Sequence, residues 1–382
     1  MDQQLYNQRL ERFKSAVLLE EPDTIPLINP FTPDFALDYA GYPLTTGMWD
    51  VDKVIDSLKC VFDDFDYDVY NKFLWRAPQF YATLGAKTFV QSETGFMQHP
   101  EVHGLEAEEY PEFIADPFKT IVEKVLPRLY TELQKPSPYN MLAFAKGMQA
   151  HGKTIGRYFE RLDLIGAAYS TPFITSGTVF APFDFLADIL RSFSGISMDV
   201  RRRPQQVLEA CEACLPLVIR KALLSAPPRI DKMIFIPLHM APFLRTADFE
   251  KLYWPTFKKM CEDLVEQGRY LSIFFEGDWT RFLDYLQELP SKKILARFEY
   301  GEPKLYKEKL GDVMCLTGFY PLSLLKNGTK EECVDEAKKI VEALAPKGGF
   351  IFSPDKIILK SDDVNPENYH AVTNYLRKEG KY

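Results

Sequence analysis

Residues 270–290 read YLSIFFEGDWTRFLDYLQELP. Leu271, Ile273 and Phe275 alternate with Ser272 and Phe274, which predicts a short buried strand. Gly277 breaks it. Asp278 is then a predicted N-cap, and Trp279, Phe282, Leu283 and Leu286 recur at helical spacing as far as Pro290. Glu276 therefore falls where a strand hands over to a helix. A carboxylate at the mouth of an apolar strand has lost much of its water and needs a proton, a cation or several donors there. In parallel α/β folds that mouth is where substrates bind.

Two further strand-like runs end in the same way. Upstream, MIFIPLH closes on His239; downstream, VMCLTG places Cys315 before Gly318. The separations are 276 − 239 = 37 and 315 − 276 = 39 residues. One βα unit of a TIM barrel takes roughly 30 residues, so His239, Glu276 and Cys315 are expected on one rim. A nitrogen, an oxygen and a sulfur ligand with an open fourth position suit a catalytic zinc. Blander roles exist for each. A strand-end histidine is often simply hydrogen-bonded, Cys315 can serve as a buried hydrophobe, and Glu276 can pair with Arg245 or Arg297.

The whole chain has 382 residues, 46% of them hydrophobic and 14% aromatic, enough for one large α/β barrel or two domains. No window approaches the ~18 consecutive apolar residues of a membrane span. The start, MDQQLYNQRLERFKSAVLLEEPD, is charged and amphipathic and lacks a signal peptide's apolar run. A cytoplasmic protein without a membrane partner is expected. The net charge of −8 argues against nucleic acid as the main partner. Six cysteines do not make a disulfide framework at this length. Cys211 and Cys214 form a C-x-x-C inside a helical pattern with no second pair, and Cys60, Cys261 and Cys333 also fall in helical patterns.

In chain order, residues 1–23 predict a helical extension, and no convincing interdomain linker interrupts residues 24–382, which the resemblance described below makes one barrel. Thr24 to Pro30 and Tyr67 to Leu74 read as the first two strands, Thr88 to Gln91 as part of a third. His99 and His103 lie in a polar segment whose Gly95, Pro100 and Gly104 predict a loop. Residues 111–130 predict a helix, and Gly147 to Tyr158 a polar connection. Thr171 to Phe180 reads as a strand leading into the helix PFDFLADILRSF. Gly195 to Arg203 reads as a loop ending in three arginines, either an anion site or a solvated patch before a helix opened by Pro204. From Met233 onward strands and helices alternate, which implies a parallel sheet.

Three C-terminal segments resemble the uroporphyrinogen decarboxylase superfamily. TGFYPLSLLKNGTKEECVDEAKKIV is similar to its G-N-x-x-P…LL-x-x-G-T-x-E-E-V segment. GGFIFSPDKIILKSDDVNPENYHAV is similar to its closing G-G-[FY]-I-F…P-E-N, and APFDFLADILRSFSGISMDVRRRPQQV to its P-F…R-P-x-x-V middle. Together they cover roughly Thr171 to Lys381. The resemblance implies a (β/α)8 TIM barrel with its active site at the strand C-termini. True decarboxylases of the family carry R-Q-A-G-R near the N-terminus, whereas PLINPFTPDFALDYAGYP here has no arginine. The other branch comprises zinc-dependent methyltransferases that work with corrinoid proteins. Its thiol-methylating members use H-x-C-G and a later P-G-C-G. Here Phe274-Phe275-Glu276-Gly277 and Ser353-Pro354-Asp355-Lys356 stand in those places.

The resemblance therefore implies a methyltransferase moving a methyl group between a small substrate, a methoxylated aromatic or a thiol, and a corrinoid (cobalamin) on a partner protein. No cobalamin-binding D-x-H-x-x-G is present, so the corrinoid must arrive on that partner. His239, Glu276 and Cys315 are the expected zinc ligands, with Asp355 in reserve, and Glu276 and His239 the expected catalytic groups. Phe243, Phe274, Trp279, Phe319 and Tyr320 are candidates to line the pocket. Two alternatives stay open: a metal-free lyase using Glu276 and His239 as acid and base, and a non-catalytic barrel that binds a corrinoid protein.

Overall fold

The computed structural model describes residues 1–72, 75–380 and 382, so Phe73 and Leu74 of the expected second strand and Lys381 lie outside the described residues. Seven strands matter here: β1 (Ile28–Asn29), β2 (Val69–Tyr70), β3 (Thr175–Thr178), β4 (Met233–Leu238), β5 (Leu271–Phe275), β6 (Ile294–Phe298) and β7 (Cys315–Gly318). β3 to β7 form one parallel sheet in chain order, and β1 pairs parallel with β2. Isolated parallel bridges extend this pairing. Tyr70–Phe173 joins β2 to the approach to β3, Leu316–Phe350 joins β7 to residues 350–354, and Leu27–Phe352 joins that segment to the approach to β1. The result is a parallel α/β arrangement compatible with a TIM-barrel-like fold. Every residue of β5, β6 and β7 is buried, as expected for parallel strands covered on both faces. Among the described residues no helix is long and apolar enough to cross a membrane.

The N-terminal ends of the strands are closed by hydrocarbon. Helix α1 (Gln3–Val17) brings Phe13, Ala16 and Val17 onto Ile28, Val69, Met233, Leu295 and Cys315. Asp68, just before β2, ties this end to both termini. One of its oxygens lies 2.6 Å from Arg12 of α1; the other lies 2.8 Å from Arg377 and accepts the Leu27 N–H at 2.8 Å. Because side chains alternate along a strand, the residues two steps beyond this layer face the same way. They are Asn71, Phe235, Arg297, Thr317 and Ser353.

Four local expectations are corrected. Val90–Gln91 is not a third parallel strand; it pairs antiparallel with Met97–Gln98, and Val90 is exposed, so this ladder has no second buried face. Residues 147–158 lie within one helix, Tyr139–Ala168, whose buried Ala143, Gly147, Ile155, Tyr158 and Leu162 follow helical spacing while the polar residues between them face water. Residues 195–202 are also helical, within Ser192–Arg202, where buried Asp199 accepts hydrogen bonds from Arg191 Nε at 2.6 Å and Tyr110 OH at 3.0 Å. Finally, β7 begins at Cys315, not at Val313. The amides of Val313 and Met314 both donate to Leu310 O and close the preceding helix, Pro303–Leu310.

Candidate active site at the C-terminal strand ends

His239 directly follows β4 and Glu276 directly follows β5. Leu238 and Phe275 are register partners, and Glu276 N donates to Leu238 O at 3.2 Å, so the two side chains emerge side by side. His239 Nε2 lies 3.2 Å from Glu276 Oε1, and His239 Nδ1 lies 2.6 Å from Asp188 Oδ2. Burial disfavours the imidazolium, but the bonds to Asp188 and Glu276 outweigh it and raise the His239 pKa to about 11.

Asp188 comes from a π-helical turn, Leu186–Arg191, which continues the helix Pro182–Phe185. Such turns insert an extra residue and re-aim side chains, often at functional sites. One turn earlier on the same helix, fully buried Asp184 holds the strand end itself. Its Oδ1 accepts the backbone N–H groups of His239 and Met240, both at 2.9 Å, and its Oδ2 accepts Tyr253 OH at 2.6 Å. Burial, with the charge of Asp188 added, pushes the Asp184 carboxyl up to about 6 in spite of these donors. Asp184 thus sets where His239 sits, and Asp188 sets how its ring is turned.

On the other side, Gly277 N donates to Glu299 Oε2 at 2.7 Å, and Glu299 Oε1 pairs with Lys356 Nζ at 2.7 Å. Gly277 has φ +75°, and a Cβ there would stand 2.9 Å from Pro242 Cγ. Glycine is required on both counts. This turn points Glu276 back toward His239.

His239 and Glu276 are brought together, but Cys315 is not. It starts β7 in the apolar layer against α1, three residues before the strand's end, and burial raises its thiol pKa far above the ordinary value. The expectation of Cys315 on the same rim is therefore corrected: its strand begins two residues later than expected, which puts the thiol at the opposite end. Asp355 follows the 350–354 segment, and its Oδ1 accepts Leu322 N at 3.0 Å. Arg245 pairs with Asp248 at 2.9 Å. Of the aromatic candidates, Trp279 and Tyr320 are fully buried, Phe319 and Phe274 are nearly so, and Phe243 is exposed against Phe193. His99 stacks on Phe89 at 4.5 Å and stands near enough to Asp188 and His239 for their charges to act on it. His103 instead faces Ser192.

Asp184 and Asp188 escaped the sequence analysis because their helix reads as aromatic and aliphatic. The signal is there: two acids four apart share one helix face, inside an otherwise apolar element that follows a strand.

Asp184, Asp188 and His239 offer ligand atoms that all lie within 4.8 Å of one another. The Asp184 oxygens already take three donors, which leaves that residue as a support. The His239–Glu276 pair fits an ion better. Two atoms each ~2.1 Å from a tetrahedral centre stand roughly 3.4 Å apart, near the 3.2 Å between Nε2 and Oε1. A carboxylate on the remaining ring nitrogen is the usual arrangement behind a metal-bound histidine. These nitrogen and oxygen donors suit zinc or another divalent ion.

No protein-family model and no curated protein matches the sequence. Among solved structures, a methyltransferase from Methanosarcina mazei is similar with a TM-score of 0.64 at 13% identity, over 96% of this chain and 97% of that one. The likeness is one of fold, and it runs end to end.

Proposed function

We propose that this chain is a (β/α)8-barrel methyltransferase that holds a zinc ion at His239 and Glu276, and moves a methyl group between a small substrate and a corrinoid carried by a partner protein. The observation that carries this reading is the 3.2 Å approach of His239 Nε2 to Glu276 Oε1 at the C-terminal strand ends, with Asp188 on the other ring nitrogen. The circuit of parallel pairings and the fold shared with a methyltransferase over nearly the whole chain support it.

When bound, the metal supplies Lewis acidity to the heteroatom that gains or loses the methyl. The protein's own part is orientation. Asp188 keeps the Nδ1 proton on His239, so that Nε2 is the nitrogen presented to the site. Asp184 fixes the backbone from which His239 springs, and Glu299 with Lys356 fixes the turn behind Glu276. A ligand set without thiolate donates little charge, which favours removal of a methyl from an ether-type oxygen over activation of a thiol.

The test mixes the protein with a reduced corrinoid protein and a panel of methoxylated aromatics, then with methylated corrinoid and thiols. The expected result is a change in the cobalt absorption spectrum that needs both this protein and one substrate, and that His239→Ala abolishes. A second reading, a metal-free acid–base lyase, draws on the proton held at His239 between two carboxylates. Turnover of a carboxylated substrate with release of carbon dioxide and no corrinoid present would establish that reading and end the first.

A further inference from the structure

The layer below His239 and Glu276 is polar where a barrel interior is usually filled by branched hydrocarbon. Its central group is Arg297 of β6, which is 7% exposed. Among the described residues it forms no ion pair; its Nη2 donates to Ser353 Oγ at 3.0 Å, one of five donors the group carries. Asp355 acts on it only at longer range, and one Asp355 oxygen is turned to the Leu322 amide. Burial lowers the Arg297 pKa to about 10, so it remains a cation at neutral pH. A desolvated cation with one neutral hydrogen-bond partner and one ring face, that of Phe274, is unfavourable unless something else completes its surroundings.

A second observation points the same way. Thr317, the register partner of Arg297 on β7, is 1% exposed and its Oγ1 has no hydrogen-bond partner. Across the interior, Asn71 Oδ1 is also buried without a partner. Phe235 on β4, two residues beyond Met233 and facing the same interior, is only half-buried, so water reaches this layer.

We infer that Arg297, with Ser353 and Thr317, anchors a carboxylate of the substrate on the floor of the site. This assignment rests on the methyl-transfer reading above for which end of the substrate reacts. Arg297 pairs in register with Phe274, two residues before Glu276, so the carboxylate sits roughly 7 Å of strand below the reacting groups. One aromatic ring spans that distance. Phe274, whose ring lies 5.7 Å from the Arg297 guanidinium, and Phe235 supply apolar walls for it. The substrate class is a small aromatic carboxylate with its methyl-bearing heteroatom on the far side of the ring from the carboxylate.

Calorimetric titration with benzoate and benzamide, without corrinoid or added metal, tests the anchor separately from the chemistry above it. Benzoate is expected to bind saturably and benzamide at least about tenfold more weakly, since a guanidinium fork gains most from a charged acceptor. Arg297→Met should cut benzoate affinity by at least about tenfold and leave the thermal midpoint unchanged or raised, because the cation it removes has no protein counter-ion. Thr317→Val should weaken benzoate several-fold and leave benzamide unaffected. Absence of benzoate binding, or equal binding of benzoate and benzamide to the wild type, overturns the proposal without any variant. So does an Arg297→Met protein that binds benzoate normally, or one that loses its fold while Thr317→Val binds benzoate as the wild type does.

Discussion

Over about 20 Å of β4, from Met233 to His239, the surroundings change from hydrocarbon to charge. At the start of the strands Phe13 and Val17 of α1 pack on Met233, Leu295 and Cys315 in an apolar layer. At their finish Asp188, His239, Glu276 and Glu299 stand in one network, with His239 and Glu276 partly exposed to water. Between them lies the layer of Arg297, Thr317 and Ser353. The two ends share strands and register but differ in what fills them, so stability and chemistry are assigned to different ends of the same elements. Changes at the closed end should cost folding and spare the site; changes at the open end should do the reverse.

The largest effect is expected at the closed end. Phe13→Ala removes a fully buried ring from the α1 contact and should cost about 3–5 kcal/mol of unfolding free energy. Metal content and methyl transfer measured at low temperature should be unchanged. Urea unfolding reads the first quantity; a loss of metal in the still-folded variant would blur the division between the ends. At the open end, Glu276→Gln should lower methyl transfer by about 100-fold or more while shifting the urea midpoint little, since Glu276 is only partly buried. A variant that is equally inactive and unstable would mean Glu276 serves the fold.

Asp188→Asn sharpens the comparison by leaving both proposed ligands in place. It weakens the grip on Nδ1 and should cost about 10–100-fold in metal affinity or activity, read as the zinc concentration needed for half-maximal rate. An unchanged zinc requirement would make the Asp188–His239 contact incidental. The smallest effect is again at the closed end and depends on pH. Burial raises the Asp66 pKa, but the bond to Arg377 and the charges of Arg377 and Arg9 outweigh this and hold it below its ordinary value. The folded pKa is depressed, so the stabilisation is present above about pH 4 and is lost as the pH falls through the folded value. For a half-exposed pair it amounts to roughly 0.2–1 kcal/mol. Melting temperatures of wild type and Asp66→Asn should differ at neutral pH and converge in acid; a constant gap would contradict this.

The sequence carries the open end better than the closed one. Glu276 and His239 are legible because each terminates an apolar alternating run, and the runs themselves announce parallel strands. Cys315 misleads for a definite reason. Val313 is β-branched and Met314 apolar, which extends the strand-like run, yet their amides finish a helix, and such bonding depends on the register of the whole sheet. Asp184 and Asp188 are visible as an acidic pair on one face of a hydrophobic helix, but a π-helical turn determines where Asp188 points, and no periodicity reports that. The role of α1 is hidden too, since an amphipathic helix does not say which end of a sheet it covers. Arg297 stands out as a charge in the strand-like run ILARFE, but its isolation emerges only when its neighbours are known.

The division between the two ends is tested most directly by the metal content of three purified proteins. Wild type should hold about one zinc per chain, Glu276→Gln should lose most of it on dialysis, and Cys315→Ala should keep it in full. Retention by Glu276→Gln together with loss from Cys315→Ala would contradict the account, because the thiol at the closed end would then be the ligand.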